Sequence, residues 1–169
     1  MEKIDLATAP EYFHKYIQLV PSSDLETAFK LHQTDLLSLL EGLDTDKWDY
    51  RYAPDKWTTK EMVQHVIDTE RVFAYRALCI ARKEKQSLPG FEEKDYAAAS
   101  KANRRDPHDL MEELGLVQKS TAKMFESFDN EQLNQVGIAN GKSVSTKAVG
   151  YIIIGHVIHH KRLLEEKYL

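Results

Sequence analysis

The chain has 169 residues, 42% of them hydrophobic and 30% charged, with 7 glycines and 5 prolines; this balance fits one helix-rich domain and excludes a disordered chain. Its 23 basic and 27 acidic residues leave a net charge of −4, so no overall positive field draws in phosphate backbones, and the expectation is that nucleic acid is not a partner. With one cysteine (Cys79), no basic n-region before an apolar run, and no segment near the ~20 apolar residues of a membrane helix, a soluble cytoplasmic protein is expected.

Residues 1–22, with Pro21 near their end, read as an N-terminal arm lying over a single domain that spans 1–169. From Leu25, apolar residues recur at three- and four-residue steps through Phe29, Leu36, Leu39, Leu40 and Leu43, predicting a first helix from about residue 24 to 43, with Ser23 or Asp24 as its cap. Thr58 and Glu61 have the spacing of a capping box, and Met62, Val66, Val72, Phe73 and Ile80 continue a second helix that fades near Lys85. Leu88, Pro89 and Gly90 mark a turn. Asp106 before Pro107 starts a third helix through Leu110, Leu114, Val117, Thr121, Met124 and Phe128. The segment 136–141, with two glycines and Asn140, reads as a loop, after which Ser145 or Thr146 caps a fourth helix. Four long helices without a strand pattern predict an all-α four-helix bundle.

Three of the seven histidines fall within residues 156–160. At about 100° per residue, His156 and His160 lie about 40° apart and straddle the inward stripe of Val149, Ile153 and Leu163, while His159 turns toward its rim. Two imidazoles one turn apart can close on one ion as a pincer or serve as hydrogen-bonded core residues. His65 shares an inward stripe with Met62, Thr69 and Val72 on the second helix. Three neutral imidazoles in one core call for a shared partner, and a divalent metal is the economical one. His32, between Phe29 and Leu36, could add a fourth ligand, line the pocket, or be a hydrogen-bonded core residue. His14 and His108 read as surface residues.

Val157 stands where the protease motif H-E-x-x-H needs its glutamate, so that chemistry is disfavoured. A three-histidine set leaves an open coordination position at which a metal can polarise a carbonyl, acidify water or hold a thiolate. Zinc, nickel, iron and copper all suit such a set. Asp68 is a candidate to accept a hydrogen bond from a ligand imidazole. Arg76 falls inside an apolar stripe and is read as paired with an acid on a neighbouring helix or reaching outward, with a substrate anion as the alternative.

Several blocks in order resemble the DinB-like family, with its YfiT-type metal-binding proteins and its bacillithiol- or mycothiol-dependent transferases. They are Pro54-Asp-Lys-Trp57-Thr58-Thr-Lys-Glu61 followed by His65, Asp68-Thr-Glu-Arg-Val-Phe-Ala-Tyr-Arg76, Leu88-Pro-Gly-Phe91, and Ala139-Asn-Gly141 leading to Gly155-His156-Val-Ile-His159-His160. The resemblance implies an up-down-down-up bundle with a long crossover, commonly a homodimer, and a site for zinc, nickel or another divalent ion whose ligands map onto His65, His156 and His160. One departure is Val157, where relatives often carry glutamate.

Two functions follow as expectations. One is a metal-dependent enzyme acting on a small molecule, either transferring a low-molecular-weight thiol or hydrolysing its substrate; Cys79, about four turns from His65, is too far to be the nucleophile, so the thiol would be a cosubstrate. The other is a non-catalytic structural, sensory or interaction module, for which a fourth protein ligand would close the site.

Overall fold

The computed structural model describes residues 4–32 and 34–169, and most of them are helical. In chain order the helices are α1 (His14–Leu19), α2 (Leu25–His32), α3 (Asp35–Glu41), α4 (Thr59–Ala81), α5 (Glu93–Ser100), α6 (Pro107–Glu126), α7 (Asn130–Asn134) and α8 (Thr146–Lys167). The starts of the long helices are chemically defined. Asp24 Oδ2 accepts from Thr27 N at 2.8 Å ahead of α2. Thr58 and Glu61 form the reciprocal capping box of α4, Asp106 Oδ1 accepts from His108 N at 2.8 Å with Pro107 opening α6, and Ser145 Oγ accepts from Ala148 N at the start of α8.

Two expectations are corrected. The single helix expected over 24–43 is divided into α2 and α3, with Gln33 outside the described residues and Thr34 in a turn. His32 Nδ1 meets Asp35 Oδ2 at 2.7 Å across this break, a local side-chain bond that competes with helix continuation. The loop expected at 136–141 is part of a hairpin, β1 (Val136–Ala139) against β2 (Lys142–Ser145), with Ala139 paired to Lys142. Asn140 and Gly141, at φ +50° and +69°, form its two-residue turn, which requires both residues in the left-handed region.

Side-chain neighbours fix the direction of each long helix. Leu25 and Phe125 both flank Gly150, and Leu36 and Leu40 pack with Val157 and Leu164, so the α2–α3 limb runs parallel to α8. Contact of His65 with His156 at one end, and the clustering of Ala77 and Ile80 with Val144 and Ala148 at the other, makes α4 antiparallel to α8. Arg71 bonds Glu113 and Arg82 lies over Phe128, so α4 and α6 are parallel. The order is up-down-down-up, and the parallel pair requires the long crossover that contains α5.

The interior is not uniformly apolar. One cluster gathers Leu36, Leu40, Trp48, Met62, Leu110, Leu114 and Leu164; the other gathers Phe29, Phe73, Ile80, Phe125, Ala148 and Ile153. Between them, buried His65, Thr69 and Glu70 of α4, Gln118 and Thr121 of α6, and His156 and His160 of α8 form a polar layer across the bundle. Residues 10–20 cover one side of it. Tyr16, Ile17 and Val20 are buried, and α1 lies on α8 so closely that a Cβ on Gly155 would stand 2.0 Å from the Tyr16 carbonyl oxygen.

Candidate metal centre

Helix α4 brings His65 to the polar layer from one side, and α8 brings His156 and His160 from the other, one turn apart on its inward face. All three are buried. Their Nε2 atoms converge: His156 Nε2 lies 3.1 Å from His65 Nε2 and 3.0 Å from His160 Nε2, and one ligand atom from each ring lies within 4.8 Å of the others. Nitrogens bound at ~2.0–2.1 Å to a common ion, with angles between octahedral and tetrahedral, would be about 2.9–3.4 Å apart, so this donor set fits a divalent ion.

The electrostatics suit the same use. Burial holds His65 down to about 4, with the nearby His159 adding to the effect. Burial, then neighbouring imidazoles, hold His156 and His160 well below the ordinary histidine range. The rings are therefore neutral at pH 7, the form whose lone pairs bind a metal.

The surroundings include residues that sequence reasoning missed. Thr69 Oγ1 lies 3.3 Å from His65 Nδ1, a contact for which Asp68 had been a candidate. Asp68 instead accepts from Gln64 Nε2 at 3.0 Å, since its position on α4 turns it toward α6 and Arg71. Thr69, four residues after His65, was within reach of the same helical-phase argument. Trp57 packs on His65 with ring centroids 4.7 Å apart, and Tyr16 sets its ring edge-on to His156 and His159. His159 is half-buried at the rim. His32 is not with the trio: it is tied to Asp35, and among the described residues its buried Nε2 has no hydrogen-bond partner. His108 is exposed, as expected, whereas His14 is half-buried and within 3.0 Å of the Ala9 carbonyl oxygen.

His156 also lines a cavity of about 640 Å³ between α4, α8, the arm, the crossover and the hairpin. Its walls are largely apolar and aromatic, including Phe13, Phe73 and Phe91. Glu70, not anticipated from sequence, lines it as well; burial pushes its carboxyl up to about 7 against the lowering effect of Thr121, and among the described residues its Oε2 has no hydrogen-bond partner. Arg76 is buried in the wall and, among the described residues, neither pairs with an acid nor reaches outward as expected. Its Nη2 donates to the Pro89 carbonyl oxygen at 2.7 Å, and its guanidinium lies 4.9 and 5.8 Å from the ring centres of Phe73 and Phe91.

The solved structure of YfiT from Bacillus subtilis, described as a probable metal-dependent hydrolase with an unusual four-helix bundle topology, is similar over 98% of this chain and 90% of its own, with a TM-score of 0.71 and 16% identity. A DinB-like protein from Bacillus subtilis, YjoA, is similar over 83% of this chain and 86% of its own, with a TM-score of 0.60 and 21% identity. A mycothiol-dependent maleylpyruvate isomerase is similar over 95% of this chain but 62% of its own, with a TM-score of 0.66 and 12% identity. No curated protein matches the sequence. At these identities the structural likenesses establish a shared fold, and the sequence itself matches the DinB superfamily over residues 28–164. The chain belongs to the DinB superfamily.

Proposed function

We propose that this protein is a divalent-metal-dependent enzyme acting on a small molecule, with His65, His156 and His160 as the metal ligands and zinc, nickel or iron as the ion. The observation that carries the reading is the convergence of three buried, neutral Nε2 donors from two helices at a cavity large enough for a substrate. A closed structural site would need a fourth protein ligand, and among the described residues no other His, Cys, Asp or Glu joins the trio. That favours catalysis over a structural or sensory role.

When bound, the ion would supply Lewis acidity to an oxygen or sulfur atom of the pocket's occupant. With His65 Nε2 committed to the site, its Nδ1–H donates to Thr69 Oγ1, which fixes the ring's tautomer and orientation. Trp57 and Tyr16 pack against the imidazoles and limit access of water. Glu70, with a carboxyl that titrates near neutral pH, can hold or release a proton at the cavity wall.

Transfer of a low-molecular-weight thiol is the preferred reaction class, and hydrolysis is the second. The likeness to a mycothiol-dependent isomerase supports the first, and the description of YfiT as a probable hydrolase supports the second. Cys79 is neither in the trio nor in the cavity lining, so in the thiol reading the sulfur comes from a cosubstrate. The proposal also takes the protein to be a cytoplasmic homodimer, on the family resemblance and the lone cysteine. No helix among the described residues is long and apolar enough to cross a membrane.

Metal analysis of untagged protein and of the His156→Ala variant tests the reading. Wild-type protein is expected to retain about one divalent ion per chain and the variant almost none. Negligible metal in both would remove the ion from the proposal. Screening the loaded protein for transfer of bacillithiol, glutathione or coenzyme A onto electrophiles, with His65→Ala as control, then separates the two reaction classes.

A further inference from the structure

The buried guanidinium of Arg76 has unused donors. Among the described residues, only Nη2 has a protein acceptor, the Pro89 carbonyl, and Nε is buried without a partner. Burial alone shifts its pKa, downward, with no acidic neighbour offsetting it. An unpaired buried cation is costly, and it is held here by construction. The segment carrying Pro89 is bound to the hairpin: Leu88 N donates to the Ile138 carbonyl and Asn140 N to the Leu88 carbonyl, both at 2.9 Å. Gly90 allows this seating, since a Cβ there would lie 2.4 Å from Asn140 Oδ1. The aromatic faces of Phe73 and Phe91 complete the mount.

Arg76 lines the same cavity as His156. It lies eleven residues beyond His65 on α4, about 16 Å along the axis, and long helical side chains lean back toward the N-terminus, so the guanidinium stands on the order of 10 Å from the histidine level. Between the two are apolar and aromatic walls, including Phe73, Val149 and Ile153. Other acidic residues line the cavity, Glu11, Glu70, Glu92 and Glu93, against a second cation, Lys142. That balance favours a single carboxylate over a multiply charged phosphate.

We infer that Arg76 is a specificity-determining residue that receives the carboxylate of an elongated, largely apolar substrate whose reacting end lies at His156. Its flat, two-pronged donor geometry suits a carboxylate. The assignment rests on reading the cavity as a substrate pocket, and its test does not depend on metal content.

The probes are 4-phenylbutyrate and its uncharged amide, 4-phenylbutyramide, titrated into the full-length protein as purified and followed by two-dimensional amide NMR. The acid is expected to bind the wild-type protein at least about tenfold more tightly than the amide, a preference that Arg76→Gln abolishes and Arg76→Lys keeps in part. The preference should survive in His156→Ala. A wild-type protein that binds the acid no more tightly than the amide overturns the inference without recourse to any variant. A preference that persists in Arg76→Gln but vanishes in His156→Ala also overturns it, because the carboxylate would then be read at the histidine site. Failure of the metal reading alone would appear as wild-type protein without metal that still prefers the acid through Arg76.

Discussion

The substitution Gly155→Ala sets helix propensity against packing, with opposite signs. In the middle of a helix, alanine is favoured over glycine by about 1 kcal/mol. At this position, however, a Cβ would lie 2.0 Å from the Tyr16 carbonyl oxygen and 2.4 Å from its carbon, which are backbone atoms of α1. Relief to van der Waals contact near 3.5 Å requires α1 to withdraw by roughly 1–1.5 Å. A shift that keeps α1 docked costs about 1–3 kcal/mol. Full release would expose Ile17 and Val20, both completely buried, at about 1.5–3 kcal/mol each. After the propensity gain of about 1 kcal/mol, a net loss of roughly 0–2 kcal/mol is expected if α1 stays docked and roughly 2–5 kcal/mol if it is released. Urea unfolding followed by circular dichroism measures it, with Gly115→Ala as internal control. A Cβ on Gly115 in α6 meets only Leu37 Cδ2, at an ordinary 3.5 Å, so that variant should gain up to about 1 kcal/mol. A Gly155→Ala protein stabilised by about 1 kcal/mol, as the Gly115→Ala control should be, with an unchanged m-value, would refute the close α1–α8 approach.

Glu70 has a folded-state pKa raised to about 7 from 4.5, so the native state binds more protons than the unfolded chain between those values, and stability falls as pH rises through that window. Glu70→Gln should therefore stabilise metal-free protein by up to about 3 kcal/mol at pH 8, the advantage shrinking toward pH 4.5; a gap independent of pH would contradict the raised pKa of the buried carboxyl. The histidines act in the opposite direction. His65, lowered from 6.5 to about 4, contributes stability that is full above 6.5 and lost as pH falls toward 4, a slope expected to flatten in His65→Ala. Thr69→Val should weaken metal binding about 10–100-fold in competition with a chelator while leaving the fold intact; undiminished affinity would show that His65 does not need the hydroxyl.

Helical phase was enough to select His65, His156 and His160, because which face a side chain occupies is local information once the helices are known. The capping box at Thr58 and Glu61 and the Asp106-Pro107 start were legible for the same reason. Glu70 was not. It sits in the charged run Asp68-Thr-Glu-Arg, and only the packing of Gln118 and Thr121 from α6 into the same layer shows that it is inside. Tyr16, on the short helix α1, and Trp57, just ahead of α4, reach the histidines along paths that depend on tertiary contacts. Arg76 was recognised as misplaced in an apolar stripe, but its partners lie on the crossover loop, where no periodicity reports position. The break near Thr34 was hidden because the apolar spacing from Phe29 to Leu36 continues through it. The hairpin strands, four residues each, were too short for an alternating pattern, although Asn140-Gly141 carried a usable turn signal.

The parallel arrangement of α4 and α6 has a consequence for how such a site can diversify. The crossover it demands passes over the cavity, so the walls beside Arg76 are built by an arm, a loop and a hairpin, while the histidines sit on two core helices. Surface segments tolerate exchange and length changes that packed helices do not. The loop, arm and hairpin walls around Arg76 can therefore vary independently of the histidines. Grafting a different 88–91 segment or hairpin onto this bundle should retune which molecule is accepted while leaving the three imidazoles where they are.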